Sequence, residues 1–312
     1  MAKPFRIFFV TDIHGSNLCY RKFLNALKAY NVDVGILLGD LTGKVLVPLV
    51  EKAGGGWETT LMGHDTVVNT PEELAELKKT IEMMGYYWVH LAPDEFRQHK
   101  DDPGRVDRLF KELMLQRLKE WMVLADERLA GTAYKVYMAP GNDDHFEVDQ
   151  VIEDSSAIVN CNNNVMVGDH EMITFAWTNP TPWDTPREKP DEELEPMLED
   201  LVAKVKNKSN AIFNFHAPPY GYALDLAPEL TKDLVQAADR KVHVGSRAVA
   251  RMIEKYQPLL GLHGHIHESR GAQKIKRTLI VNPGSEYSEG ILKGVVIVLE
   301  RGKVKDYVFT SG

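Results

Sequence analysis

Apolar and polar positions alternate along this chain in two rhythms. Arg6 to Val10 is a β-rich run, and Val34 to Leu38 is a short, continuously apolar one. Between them, Asn17 to Tyr30 carries Leu18, Phe23, Leu24 and Leu27 at helical spacing. Apolar strands joined by an amphipathic helix are what an α/β sheet covered by helices requires.

From Leu41 to Ala133 that rhythm breaks. Val45 to Val50 and Trp57 to Met62 flank Ala53-Gly54-Gly55-Gly56, which predicts a β-hairpin with a flexible turn. Thr70-Pro71-Glu72-Glu73 is a helix start, with Thr70 as N-cap and Pro71 at the first helical position. A second long helix is predicted from Arg105 to Leu129. Residues 41–133 therefore read as a hairpin-plus-helix insertion, either a cap beside a functional site or a decoration on the sheet.

The sheet pattern resumes at Tyr134 to Ala139 and at Ala157-Ile158-Val159, and Val165 to Trp177 reads as paired short strands. Pro180 to Pro190 is Pro-rich and irregular, and Asp191 to Lys206 is an amphipathic helix. Strands are predicted at Ala211 to Phe215, Leu259 to Leu262 and Leu279 to Val281, with a helix from Ser246 to Tyr256. A hairpin of Gly294 to Glu300 with Val304 to Thr310 ends the pattern. There is no internal repeat, so one domain spanning residues 1–312 with an insertion is expected.

Composition adds limits. The 44% hydrophobic and 26% charged residues over 312 positions support a large core in a globular protein. The net charge of −8 argues against a surface that coats nucleic acid. Cys19 and Cys161 are too few for a disulfide framework and are expected as reduced thiols in the cytoplasm. Met1-Ala2-Lys3-Pro4 leads straight into a strand, without a signal-peptide pattern. No apolar run approaches the roughly 20 residues that span a bilayer, and Asn207-Lys208-Ser209 reads as a chance glycosylation match.

Chemistry concentrates where the predicted strands end. Asp12 and His14, Asp40, Asn142, His216, and His265 with His267 are seven potential metal donors in five short segments. Asp12 and His14 stand two apart in extended chain and point to one side, as do His265 and His267. Gly39 before Asp40 is expected to let backbone and metal approach closely. Carboxyl ends of strands are where open α/β sheets gather ligands. Carboxylate, amide and imidazole donors suit Mn, Fe or Zn, and seven of them point to two ions sharing a carboxylate.

The series Asp12-Ile13-His14-Gly15, Gly39-Asp40, Gly141-Asn142-Asp143-Asp144, His216 and Gly264-His265-Ile266-His267 resembles the calcineurin-like metallophosphoesterase superfamily. The resemblance covers residues 5 to about 285 outside 44–133, and includes the turn Asn282-Pro283-Gly284-Ser285. It implies a four-layer αββα sandwich, two mixed β-sheets flanked by helices, with an insertion after the second strand. It also implies one metal on Asp12, His14, Asp40 and His267, and a second on Asp40, Asn142, His216 and His265, with Asp40 bridging. Manganese and iron are the expected metals, with zinc or nickel as alternatives.

Two divalent ions with Asp12 and Asp40 leave a charge of about +2, which attracts phosphate oxygens and produces hydroxide near neutral pH. The expected activity is hydrolysis of small phosphodiesters or phosphomonoesters by metal-bound hydroxide, with diesters favoured. Members of the superfamily often carry His after the Asn, acting on the leaving group. Asp143 stands there in this chain, so His145 and His263 are the nearest other candidates for that role. By position, His263 suits packing or support, and His145 suits exposure. Tyr220, Tyr222 and Arg247 are candidates to border the substrate, Arg247 by meeting a phosphate at a helix start. Trp57, His64, Trp177 and Trp183 are candidate pocket walls. The partner expected is a small phosphate ester, not nucleic acid or membrane. A nuclease and a metal-binding interaction scaffold are the alternative readings.

Overall fold

The computed structural model describes residues 4–231 and 236–312, so Met1 to Lys3 of the N-terminal reading lie outside the described residues. The chain opens with β1 (Phe5–Thr11), α1 (Asn17–Ala29) and β2 (Val34–Leu38). It continues through β3 (Leu46–Glu51), β4 (Trp57–Leu61), β5 (His64–Val68), α2 (Pro71–Met83), β6 (Tyr87–Leu91), α3 (Pro93–Asp101) and α4 (Pro103–Leu129). Next come β7 (Lys135–Ala139), α5 (Glu147–Glu153), β8 (Ile158–Asn160), β9 (Asn164–Val167), β10 (His170–Phe175), α6 (Asp191–Ala203) and β11 (Ile212–Phe215). The last elements are β12 (Leu226–Leu230), β13 (Gln236–His243), α7 (Arg247–Tyr256), β14 (Leu260–Leu262), β15 (Gly271–Ile275), β16 (Thr278–Asn282), β17 (Lys293–Glu300) and β18 (Lys303–Ser311).

Two six-stranded mixed sheets face each other. The first runs β18-β17-β1-β2-β7-β8, with β1, β2, β7 and β8 parallel. The second runs β15-β16-β14-β11-β10-β9, with β16, β14, β11 and β10 parallel and antiparallel strands at both edges. Strand periodicity sorts the core into layers. Ile7 and Phe9 of β1 point between the sheets, where they join Ile36, Leu38, Ile212, Leu260 and Val281. Their neighbours Phe8 and Val10 point outward to Phe23 and Leu27 of α1, Leu118 and Trp121 of α4, and Val148 of α5. On the far side, Ile173 and Phe213 meet Leu198 of α6 with Val249 and Ile253 of α7. Helix, sheet, sheet, helix is the expected αββα sandwich.

Residues 41–133 hold more than one hairpin. β3 and β4 pair antiparallel as expected, but β5 and β6 extend them to a four-stranded sheet, β5-β4-β3-β6. His64–Val68 and Tyr87–Leu91 are short and mix polar with apolar positions, so neither stands out as a strand in sequence. This small sheet has its own core of Val47, Leu49, Val68, Leu74 and Ile81. Helix α2 begins as predicted, with Thr70 and Glu73 exchanging a capping box. Helix α4 packs on the first sheet, as the crossover between parallel β2 and β7 requires. Two further elements in the second half, the β12–β13 hairpin and edge strand β15, also replace expected loops. Cys19 and Cys161 are buried free thiols. No helix among the described residues is long and apolar enough to cross a membrane.

Candidate metal centre

Every predicted donor follows a parallel strand, and those strands end on one rim. β1 delivers Asp12 and His14, β2 delivers Asp40, and β7 delivers Asn142. From the other sheet, β11 delivers His216, and β14 delivers the segment holding His265 and His267. Backbone bonds lock the loop tips: Asp12 N–H donates to Gly39 O (3.2 Å), His14 N–H to Asp40 O (2.9 Å) and Gly264 N–H to His216 O (3.0 Å). The His265 N–H donates to Asp12 Oδ2 at 3.0 Å, tying the two sheets across the rim. Asp12, His14, Asp40 and His265 hold φ values of 54°, 38°, 40° and 67°. Left-handed backbone at four non-glycine residues stores strain of about 1–3 kcal/mol each, a cost that clusters at functional sites.

Six of the seven side chains converge. His14 Nε2 lies 3.1 Å from His267 Nε2, and His267 Nε2 lies 3.7 Å from Asp12 Oδ1. His216 Nε2 lies 3.3 Å from Asp40 Oδ1 and 3.7 Å from Asp12 Oδ1. His14 Nε2 lies 3.7 Å from Asp40 Oδ2. Donor atoms of Asp12, His14 and His267 group within 4.8 Å, and so do those of Asp40, His216 and His265. His14, Asp40 and Asp143 form a third such group. Asp40 thus borders both sides of the centre. Gly39 makes room for a neighbour: a Cβ there, at φ +70°, would lie 2.1 Å from His216 Nδ1. The missing side chain makes room for the His216 ring.

Burial and charge set the protonation states. Burial pushes His14 down to about 3 and His265 down to about 4, leaving both imidazoles neutral with a lone pair to offer. His216 goes the other way: burial lowers it, but the Asp40 and Asp12 carboxylates outweigh burial and raise it to about 9. In return His216 holds Asp40 well below the usual carboxylate range despite burial. His267 is also raised, against burial, by its hydrogen bond to Asp12 and by the Asp12 and Asp40 charges, so the two buried carboxylates draw on two imidazoles.

A direct test of fit is the Asn142 amide. Its Nδ2 donates to Thr185 Oγ1 at 2.8 Å, while its buried Oδ1 has no hydrogen-bond partner. A buried amide oxygen without a donor, at the end of the strand beside Asp40's, is free to meet a cation. Its orientation follows from a chain of bonds. The Thr185 hydroxyl donates its one proton to Glu188 at 2.5 Å, so it accepts from Asn142 Nδ2 and fixes the oxygen as the unpaired end of the amide. The donors present fit a metal ion.

Sequence reasoning missed most of this support. Asp144, fully buried, accepts from the backbone N–H groups of Leu41 (2.9 Å), Thr42 (2.9 Å) and Gly141 (2.8 Å) and from the Thr42 hydroxyl (2.6 Å). Arg187 donates to the carbonyls of Asp144 and His145, and to Asp149. The Tyr287 ring packs against His14 and His267, with centroids 4.6 and 5.9 Å away. Only Asp144 had a signal, its place in the Gly-Asn-Asp-Asp turn; the others contact the site from distant, irregular segments.

The remaining candidates spread out. Asp143 sits at the mouth, its N–H on Asp40 Oδ1 (3.1 Å) and its carboxylate in an ion pair with Lys44. Burial and Asp40 raise Asp143 to about 7. His145 is half-buried beside Lys44 on a neighbouring cavity. His263 is fully buried, with Nδ1 on the Phe215 and Ala217 carbonyls at 2.8 and 3.1 Å, so it supports the His216 turn from behind. Tyr222 donates to Glu254, and Tyr220 lies under the Arg247 guanidinium at 3.7 Å. The α7 N-terminus already holds an anion: Asp191 accepts from Ser246 Oγ and from the Arg247 and Ala248 N–H groups. A phosphate is not needed there. Trp57 packs with the insertion core, His64 is exposed at the β4–β5 turn, Trp177 packs near Phe146, and Trp183 is exposed.

A sandwich that brings carboxylates, an amide oxygen and imidazoles to one rim defines a metal-binding α/β protein. The profile of the family described as calcineurin-like phosphoesterase matches residues 5–269, and the chain belongs to that family. An uncharacterised protein of Methanocaldococcus jannaschii, MJ1162, is 34% identical over 152 residues, spanning 48% of this chain and 63% of that relative. The solved structure of TT1561 of Thermus thermophilus superposes with a TM-score of 0.52 at 15% identity, covering 99% of each chain. Another solved structure reaches 0.58 at 15% identity, covering 97% of this chain and 98% of its own. At that identity the two structures speak for the fold alone.

Proposed function

We propose that this chain is a dinuclear metal-dependent phosphoesterase that hydrolyses small phosphodiesters or phosphomonoesters, diesters preferentially, in the cytoplasm. The observation that carries the reading is the convergence of Asp12, Asp40 and four imidazoles into groups within 4.8 Å, with the buried Asn142 Oδ1 left unpaired at a neighbouring strand end. In this reading Asp12, His14, Asp40 and His267 hold one ion, and Asp40, Asn142, His216 and His265 the other. Manganese or iron fits the mixed oxygen and nitrogen donors, with zinc or nickel as alternatives. When bound, the pair supplies a water-derived nucleophile at neutral pH and positive charge for the phosphoryl oxygens.

The chain's own residues do the rest. Burial keeps His14 and His265 neutral, so no proton competes for their lone pairs. Thr185 holds the Asn142 amide nitrogen and so leaves its oxygen free to coordinate, and His263 steadies the turn that carries His216. Tyr287 covers His14 and His267 on one side. Lys44, pinned by Asp143, brings an ammonium to the mouth, where it attracts a phosphoryl oxygen. The two buried free thiols support the cytoplasmic assignment.

The test is turnover of bis-p-nitrophenyl phosphate after chelation and reloading with manganese. The expected result is activity restored by metal and abolished by Asp40→Asn or His216→Ala. No turnover in the loaded protein, with neither substitution changing anything, would end the enzymatic reading.

A further inference from the structure

We propose that the cavity beside the metal centre receives one half of a phosphodiester substrate, and that this half carries a second phosphate, as a nucleotide does. The proposal rests on the phosphoesterase reading above and narrows its substrate. The cavity holds about 690 Å³, within the range of small-molecule sites. Its walls are residues 44–46, the first turns of α4, and His145. Leu46, Val106 and Phe110 make the apolar part, with the Phe110 ring held edge-on by Tyr87 at 5.4 Å. Lys44, Arg108 and Lys111 bring three cations, against one lining carboxylate, Asp107.

Lys44 joins this cavity to the centre. Its ammonium pairs with Asp143, whose Oδ2 lies 4.0 Å from His14 Nδ1. The cavity therefore begins where the donor cluster ends, and an ester group on phosphorus at the centre has this space beside it. Arg108 and Lys111 have partners, Asp102 at 3.9 Å and Glu147, but both pairs are solvent-exposed. Exposed pairs are weak and yield to a stronger anion. A phosphate offers two charges and several acceptor oxygens to such cations. A flat ring system fits the apolar wall. A neutral ester group would leave the cations unused, and a bare anion would leave the wall unused.

The reaction itself is ordinary hydrolysis. The water oxygen bonds to phosphorus, and the P–O ester bond breaks with its electron pair on the ester oxygen. That oxygen leaves as an alcohol, taking up a proton supplied by the water. Nothing is oxidised or reduced.

The experiment compares the dinucleotides pApA and ApA, which share the scissile diester and differ in the second phosphate. For the manganese-loaded protein, kcat/KM is expected to be about tenfold higher for pApA, a preference of the size charge-assisted contacts give. The double variant Arg108→Ala/Lys111→Ala should lower that ratio about fivefold, and calorimetry on metal-free protein should show 5′-AMP binding weakened by about the same factor. Equal turnover of both dinucleotides by the native protein would overturn the proposal. So would a double variant that keeps the ratio and the AMP affinity. In either case continued turnover of bis-p-nitrophenyl phosphate would leave the phosphoesterase reading intact. Failure to hydrolyse all three esters, with AMP binding still governed by Arg108 and Lys111, would sink that reading while upholding the cavity's ligand class.

Discussion

Thr185 gives the sharpest handle on the centre, because it is not among the donors and yet fixes which end of the Asn142 amide is left unpaired. Glu188 accepts hydrogen bonds from the hydroxyls of Thr185 (2.5 Å) and Thr181 (2.6 Å) and from their N–H groups at 3.1 and 2.8 Å. That network commits the Thr185 proton to Glu188 and leaves its oxygen to accept from Asn142 Nδ2. Thr185→Val keeps the shape and removes both bonds. The amide loses a net bond of about 0.5–1.5 kcal/mol and becomes free to turn. Loss of an outer partner costs a ligand about 10–100-fold in metal affinity, which corresponds to about 1.4–2.8 kcal/mol. Calorimetric titration of the metal-free variant with Mn²⁺ should show one of two binding steps weakened by that factor. The other step, which uses His14 and His267, should stay within about threefold of the native value. Thr185→Ser should restore the first step. A folded Thr185→Val variant with both steps unchanged would refute the argument from the amide's orientation.

Other consequences are equally direct. Gly39→Ala combines a Cβ 2.1 Å from His216 Nδ1 with φ +70°, and should destabilise the fold by about 2 kcal/mol or more in urea unfolding. Lys44→Met should raise KM for bis-p-nitrophenyl phosphate about fivefold while leaving kcat nearly constant, as expected for a half-exposed cation that binds ground and transition states alike. Asp144→Ala removes the acceptor for four buried donors and should cost about 3 kcal/mol or more, measured by denaturant midpoint. Manganese at 100-fold over its Kd should add about 2.7 kcal/mol, seen as a Tm rise of about 5 °C that chelation reverses.

The donors were legible because each one interrupts an apolar run at its end. Val34 to Leu38 is buried on both faces, so its sequence is nearly pure hydrocarbon until Gly39-Asp40. The same contrast marks β1, β7, β11 and β14. The four-layer order was implied by the resemblance alone; the structure accounts for it through β1, whose Ile7 and Phe9 face one layer while Phe8 and Val10 face the other. Helix α4 was visible by periodicity, but periodicity does not say which surface a helix meets, and it meets the first sheet. Strands β5, β12 and β15 lie at edges or in small sheets, where half the positions face water and the apolar signal fades. Thr185, Glu188 and Arg187 lie in a Pro-rich irregular stretch. The contacts of Thr185 and Arg187 with the 142–149 segment span 38 to 43 residues and leave no local pattern to read.

Anomalous diffraction from manganese-soaked crystals tests the central claim most directly. Two peaks about 3.5–4 Å apart are predicted between the two sheets, with the Asp40 carboxylate touching both and Asn142 Oδ1 touching one. A single peak, or manganese bound only away from these seven side chains, would contradict the account.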